Sequence, residues 1–105
     1  MACVTHVRSE AFSSIVVDEK LMSAAGFSKN EKVQVLNMMS GSRVEVPILP
    51  GPKGAGEISL NGVMSHHGRK GDRIVIIGYC LLRDDQKKSH RPKKIVLNEK
   101  NRIVA

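Results

Sequence analysis

The sequence predicts a mainly β protein, a small β-barrel with one or two short helices, built as a single domain over residues 1–105. Three observations carry this prediction. A chain of 105 residues suffices for one modest core but not for two. Aromatic residues make up only 3% of the chain, so the core must consist of aliphatic side chains, many of them β-branched. These side chains occur in short runs that turn residues separate.

The first half of the chain contains four predicted strands. Residues 1–7 and the β-branched run 15–17 are the first two. Residues 32–37 alternate polar and apolar side chains, as a half-buried strand does, and residues 43–46 are expected to return as the hairpin partner. Pro47 has no backbone N–H, so it should break the ladder or confine this strand to a sheet edge.

One short helix is predicted directly after the second strand. Asp18 has the side chain of a good N-cap, and Glu19 suits the first helical turn. Gly26 fits the left-handed position that follows a helix. Between them lies an apolar stripe formed by Leu21, Met22, Ala24 and Ala25.

The second half is predicted to add strands around one strong turn. Residues 48–56 are rich in glycine and proline and are expected to form an exposed loop. Asn61-Gly62 is the strongest turn signal in the chain, and one helical turn is expected over residues 63–68. The other predicted elements are a strand over 57–60, a long strand over 73–82 at the sheet centre, and a final hairpin of 95–97 with 102–104.

The chain is basic, with 17 lysine and arginine residues against 10 aspartate and glutamate residues, a net charge of +7. Such a balance suits nucleic acid, a membrane surface or small anionic substrates. The excess lies at Lys87, Lys88, His90, Arg91, Lys93 and Lys94. A nucleic-acid-binding barrel is therefore one hypothesis. The chain lacks stacking aromatic residues and any recognised binding motif, so a solvated basic loop is the preferred interpretation and nucleic acid is a disfavoured partner.

Cysteine and histidine usage gives no support for a metal site. Cys3 and Cys80 are far apart in sequence and are expected to be reduced. His66 and His67 are adjacent, so they cannot share a helix face, and no carboxylate or cysteine stands at ligand spacing from them. The N-terminus lacks the layout of a signal peptide and no apolar run is long enough to span a bilayer, so a cytoplasmic location is expected.

Several motifs, taken in order and spacing, resemble a known enzyme family. They are Phe12-Ser13-Ser14-Ile15, the segments 18–26 and 30–35, Gly41-Ser42-Arg43, Leu60-Asn61-Gly62 and the segment 70–77. Together they resemble bacterial aspartate 1-decarboxylase, the small pyruvoyl enzyme that makes β-alanine for pantothenate biosynthesis. The resemblance covers nearly the whole chain. It implies a double-psi β-barrel that assembles as a homotetramer.

The resemblance also implies that the chain cuts itself between Ser13 and Ser14. The Ser14 hydroxyl would attack the preceding carbonyl carbon, and elimination and hydrolysis would leave a pyruvoyl group at the start of a fragment 14–105. Ser13 would end the other fragment. The pyruvoyl ketone would then serve as the electron sink for decarboxylating an amino acid, with no metal involved.

The substrate site follows from the same resemblance. Arg43 stands where the family has the arginine that holds a substrate carboxylate, a role that suits a planar, two-pronged donor. Asn61 and Gly62 match the family's Asn-Gly, in which the asparagine helps to orient the site. Val63 and Met64 replace the small alanines of the family and are expected to reshape the substrate pocket.

Other positions depart from the family pattern. Ser13 replaces a glycine, and Val46-Pro47 replaces a Thr-Tyr pair that assists cleavage and supplies a proton. The tyrosine before the cleavage site is absent, with Ala11 and Phe12 nearby, and the family's N-terminal segment with its substrate-binding lysine and histidine has no counterpart.

These departures leave alternatives open. One is a barrel repurposed for another substrate or reaction, and another is an inactive binding protein. A maturation factor as an additional partner also stays open.

Overall fold

The computed structural model describes residues 1–105 and contains seven strands, one α-helix and two short 3-10 helices. The strands are β1 (Ala2–Cys3), β2 (His6–Arg8), β3 (Ser14–Asp18), β4 (Lys32–Asn37), β5 (Arg43–Gly51), β6 (Ile58–Asn61) and β7 (Arg73–Ile77). The α-helix, α1, spans Glu19–Ala25, and the 3-10 helices span Gly62–His67 and Asp84–Gln86. None of the helices combines the length and apolar character that crossing a membrane requires.

The strands form one curled sheet in the order β1-β7-β4-β5-β3-β6-β2. Pairing is mixed: β3 runs parallel to β5 and antiparallel to β6, and β2 runs parallel to β6. This curled, mixed sheet with short helices is a small double-psi β-barrel, which confirms the predicted fold class. Its centre is β5, whereas the predicted central strand, β7, lies second from the edge, because β1 covers its outer side.

The core is aliphatic, as the composition predicts. Five aliphatic side chains have no exposed surface at all: Ile15, Ile48, Ile58, Leu60 and Ile74. They come from four strands, and in β3 and β6 they alternate with residues that face the other side of the sheet. Burying each such side chain stabilises the fold by about 1.5–3 kcal/mol relative to leaving it in water.

The predicted helix is confirmed at both ends. The Asp18 side chain accepts a hydrogen bond from the Lys20 N–H at 2.9 Å, and Gly26 adopts the left-handed conformation with φ of 80°. Leu21 and Met22 are buried against the sheet. The helix is therefore specified by its local capping residues and one apolar face.

The Asp18 carboxylate also joins the helix to the loop before β6. It accepts hydrogen bonds from the N–H groups of Gly54 and Gly56, each at 2.8 Å. Burial alone raises the pKa of this carboxyl, but its three backbone donors and the nearby charge of Arg102 outweigh burial and hold the pKa below its ordinary value. One buried charge thus satisfies donors from two separate segments.

Two sequence predictions about β5 are wrong. The strand does not stop at Pro47, and residues 48–51 form a strand, not an exposed loop. β5 changes partner: it pairs with β4 up to Pro47 and with β3 from Ile48 onward. The Ile48 N–H points to the β4 side, where it bonds the Glu31 carbonyl at 2.9 Å. β5 contains a second proline, Pro50, two residues after Ile48. An N–H at Pro50 would also point to the β4 side, but beyond the last residue that pairs with β4. The absence of an N–H at Pro50 therefore costs no ladder hydrogen bond.

Four other predicted strands are shorter than expected or divided. β7 ends at Ile77, where its pairing with Gln34 of β4 ends, and residues 1–7 divide into β1 and β2. The predicted C-terminal hairpin turns as expected but contains only one bridge, between Leu97 and Ile103. Its position depends on Asn101, whose side chain bonds the backbone of Cys3 and the carbonyl of Gly56.

Replacing Asp18 with asparagine is expected to lower the free energy of unfolding by about 2–4 kcal/mol, because an amide NH₂ would face a buried N–H that then lacks an acceptor. The lowered pKa adds a pH dependence. The wild-type stabilisation is complete above the unfolded pKa, falls below about pH 4 and is lost as the pH passes the folded pKa. The variant should lack this contribution.

Urea unfolding at pH 7 and between pH 3 and 5 measures both effects. Asp84→Asn is the control, because the Asp84 side chain is 96% exposed and pairs only with Lys87, so its removal should change stability by less than about 0.5 kcal/mol. An Asp18→Asn variant as stable as this control at pH 7 would contradict the assignment.

Candidate active site

Ser14 lies where an unpaired segment enters the sheet. It is the first residue of β3 and is 1% exposed, whereas Phe12 is 92% exposed and Ser13 is exposed. The Ser14 hydroxyl donates to the Phe12 carbonyl at 3.1 Å. The Ser13–Ser14 peptide bond therefore joins a solvent-exposed residue to a residue held in the core sheet.

The turn after β6 packs directly against this bond. The Val63 N–H donates to the Ser13 hydroxyl oxygen at 3.0 Å. Gly62 adopts φ of +65°, and a Cβ placed there would lie 2.6 Å from the Ser13 nitrogen and 2.7 Å from the Ala11 carbonyl oxygen. The predicted Asn61-Gly62 turn and the helical turn after it are confirmed, and only glycine allows this approach to the Ser-Ser pair.

Asn61 faces Ser14 across the antiparallel pair of β3 and β6. Its side chain is largely buried, and its Oδ1 accepts a hydrogen bond from the Ser59 hydroxyl at 2.5 Å. Arg8 donates to the Ser59 hydroxyl oxygen at 2.9 Å and forms an ion pair with Glu57 at 3.4 Å. A polar chain thus runs from the edge strand β2 to the residue opposite Ser14.

Arg8 and Ser59 are not among the site residues predicted from the sequence. The available signal was the alternation in residues 57–61, which places Glu57, Ser59 and Asn61 on one face of a strand. The partner strand β2 could not be assigned to this face from sequence, because its three residues are all exposed and carry no apolar alternation.

A second polar surface lies away from Ser14 and includes Ser42, His66 and His67. There the Asn37 side chain donates to Asp72 at 2.9 Å, and this bond, with one from the Arg69 N–H, lowers the pKa of the Asp72 carboxyl. No group of three or more histidine, cysteine, aspartate or glutamate side chains lies close enough to hold a metal ion. The contacts here are those of a structural turn.

The chain matches known proteins over almost its whole length. A model of the aspartate decarboxylase family matches residues 1–104. The aspartate 1-decarboxylases of Bacillus velezensis and Bacillus subtilis are each 42% identical over 102 residues, 97% of this chain and 80% of each relative. That of Caldicellulosiruptor saccharolyticus is 42% identical over 103 residues, 98% of this chain and 80% of the relative. The chain belongs to the aspartate decarboxylase family.

This assignment confirms the resemblance found in the sequence and makes the chain a member of a carboxy-lyase family. It also bears on Ser13, which the resemblance places where the family has a glycine. The non-glycine residues with positive φ are Asn30 and Asn101, so Ser13 adopts an ordinary backbone conformation. Serine therefore occupies this position without the left-handed strain that would require glycine.

The resemblance places Val46 and Pro47 where the family has a Thr-Tyr pair, and the two residues have different surroundings. Val46 is buried in the core, whereas Pro47 is exposed and immediately precedes Ile48, the partner of Ile15. Pro47 therefore lies beside Ser14. Neither side chain can donate a proton, so β5 provides no acid at this position.

The remaining predicted site residues are dispersed. Arg43 begins β5 on the same face as Pro47, but four residues away, which corresponds to about 13 Å along the strand. Its side chain is exposed and makes no hydrogen bond or ion pair within the chain. Val63 is exposed and Met64 is buried in the core. Within one copy of the chain, Ser13, Ser14, Asn61, Gly62 and Val63 lie together, and Arg43 does not join them.

Gly62→Ala is expected to destabilise the protein by about 3 kcal/mol or more, because the new methyl group meets the backbone of Ala11 and Ser13 and positive φ adds a further cost. Gly41→Ala is the matched control, since Gly41 has φ of +77° with nothing within 4 Å of its Cβ position. Gly41→Ala should lower the free energy of unfolding only by the cost of placing a residue with a Cβ at positive φ, about 1 kcal/mol. Urea unfolding of both variants measures the difference, and equal losses would disprove the close approach.

Proposed function

We propose that this chain is a pyruvoyl-dependent decarboxylase that converts aspartate to β-alanine, with Ser14 as the precursor of the prosthetic group. The observation that carries the proposal is the placement of Ser14, buried at the start of β3 opposite Asn61 and preceded by an exposed, unpaired residue. The relatives are aspartate 1-decarboxylases, which supports aspartate as the substrate.

Self-cleavage requires a nucleophile beside the peptide bond and fragments that stay together. The Ser14 hydroxyl would attack the Ser13 carbonyl carbon, converting the amide to an ester. Elimination would release the Ser13 carboxylate and leave dehydroalanine, and water would then replace the nitrogen, releasing ammonia. The fragment ending at Ser13 would keep β1 paired with β7 and β2 paired with β6, so cleavage need not separate the two pieces.

The surroundings of Ser14 fit a pyruvoyl group. The start of β3 is held by β6, and the carboxamide of Asn61 lies opposite without filling the position with a large side chain. When present, the group supplies a ketone that binds the substrate amine and accepts the electron pair left by departing carbon dioxide. The protein's part would be to hold that end of β3 and to place a hydrogen-bond donor beside it.

We further propose that Arg43 binds the substrate carboxylate, but in the site of a neighbouring copy. Its guanidinium is exposed and has no partner within the chain, and the distance along β5 keeps it from the Ser14 of its own copy. This proposal agrees with the homotetramer that the resemblance implies. The cytoplasmic location also remains a prediction.

One observation favours a second candidate function. Pro47 lies beside Ser14 where the family has a tyrosine that supplies the proton after decarboxylation. A barrel without that donor would be suited to another substrate or another reaction at the same ketone, or to ligand binding without turnover. The two candidates differ in whether β-alanine is formed by the processed chain.

Intact-mass measurement of the denatured protein, purified from its own cells so that any maturation factor is present, tests the first step. The expected result is two fragments that divide between Ser13 and Ser14, with the larger one lacking its amine. Ser14→Ala should remain one chain of 11.5 kDa. Ser9→Ala, which changes an exposed serine of the same segment, is the control and should be cleaved normally.

The same preparation should form β-alanine from aspartate, as measured by chromatography of the product. A single uncut species in the wild type would contradict the pyruvoyl proposal. A cleaved protein that releases no β-alanine would instead support the repurposed barrel.

Arg43→Gln is expected to raise KM for aspartate by about tenfold or more while leaving cleavage intact, because only the bound substrate would use the guanidinium. Lys32→Gln is the control, since Lys32 forms an exposed ion pair with Glu45 on the neighbouring strand. Steady-state kinetics of both variants measure the effect. An unchanged KM for Arg43→Gln would remove this residue from the substrate site.

A further inference from the structure

We infer that Arg8 and Ser59 are positioning residues that determine which end of the Asn61 carboxamide faces the position of Ser14. Their effect on turnover rests on the proposed function. Their assignment as positioning residues does not rest on the family pattern, since neither residue belongs to the motifs that carry the resemblance.

The direction of the hydrogen bonds follows from the chemistry of the donors. A guanidinium has no acceptor, so Arg8 can only donate to the Ser59 oxygen, at 2.9 Å. The hydroxyl hydrogen of Ser59 is then available for Asn61, and the Asn61 atom that faces it is the carbonyl oxygen Oδ1, which can only accept.

The opposite end of the carboxamide is left as a free donor. With Oδ1 turned to Ser59, the Asn61 NH₂ group points away from it and makes no hydrogen bond within the chain. No buried side-chain nitrogen or oxygen lacks a partner, so this NH₂ group is accessible from outside the core. Asn61 and Ser14 are direct cross-strand partners, whose Cβ atoms lie about 5 Å apart in such a pair.

A donor at this place suits the proposed chemistry. Attack by Ser14 puts negative charge on the Ser13 carbonyl oxygen, and decarboxylation shifts electron density onto oxygen next to position 14. A donor that is oriented before the reaction stabilises such charge, whereas a flipped carboxamide would present its own oxygen and repel it. Arg8 and Ser59 thus act through Asn61 and touch neither substrate nor prosthetic group.

The position of Arg8 explains why this arrangement is stable. β2 is an edge strand that runs parallel to β6, with Arg8 paired to Asn61 and His6 paired to Ser59. The guanidinium is also paired with Glu57, the residue just before β6. One cation therefore links Glu57 and Ser59, which lie on the same face. Bonds to a charged donor are stronger than neutral ones, so the Ser59 hydroxyl has a fixed direction.

The test compares Ser59→Ala and Arg8→Met with the conservative variants Ser59→Thr and Arg8→Lys. In Ser59→Ala, kcat per cleaved chain should fall by about tenfold, because the carboxamide can now flip, while KM for aspartate stays within about twofold. Arg8→Met should also have a lower kcat than the wild type. Ser59→Thr and Arg8→Lys, which keep the donors, should recover most of the loss.

The kcat of the double variant Arg8→Met/Ser59→Ala should be no lower than that of Ser59→Ala alone, because both changes break the same chain of hydrogen bonds. Arg102→Met is the matched control, since Arg102 makes a comparable bond of 2.9 Å to the Gly54 carbonyl far from Ser14 in sequence and fold. Its kcat should stay within about twofold of the wild type. Thermal unfolding of all variants separates a loss of stability from a loss of turnover.

A second readout keeps this inference separate from the proposed function. In wild-type protein labelled with ¹⁵N, the Asn61 NH₂ protons should show nuclear Overhauser contacts to the side chain at position 14, and Ser59→Ala should weaken them. If the wild type neither cleaves nor turns over, the proposed function fails while these contacts still support the orientation. Contacts from the NH₂ protons to Ser59, or a Ser59→Ala variant with normal kcat, would overturn the inference.

Discussion

The carboxylate of Asp18 is the interaction on which the arrangement of this barrel depends. It ends β3, caps α1 through Lys20, and accepts the backbone N–H groups of Gly54 and Gly56. The Gly56 carbonyl is bonded in turn by Asn101, which also holds the first strand. A buried charge is tolerated only when its donors are complete, so these distant segments must come together as a unit.

That constraint gives β3 two different ends. At Asp18 the strand is anchored by several backbone donors, and along its length it is paired on both sides, by β5 and by β6. At Ser14 the pairing with β6 begins abruptly, and the residues just before it belong to no strand. At this boundary the peptide bond joins a residue held in the sheet to an exposed residue outside it, an arrangement that fits the proposed cleavage.

The departures from the family pattern have unequal consequences. Ser13 in place of glycine is accommodated by an ordinary backbone and adds a hydrogen bond from Val63, so it is compatible with the site. Pro47 is of a different kind, because it lies beside Ser14 and its side chain cannot donate a proton. The chain belongs to the family, and the proton donor of the proposed reaction is not the residue at position 47.

The sequence by itself determined the helix Glu19–Ala25, the alternating strands and the Ser-Ser pair, because capping and alternation depend on residues a few positions apart. Only the tertiary structure decided that the strand Arg43–Gly51 changes partner midway and that β7 lies off the centre. It alone joined Arg8 to Ser59, which are 51 residues apart in the chain. Strand pairing is a choice among distant partners that offer the same backbone groups, so it is settled by the packing of the whole sheet and not by local residues.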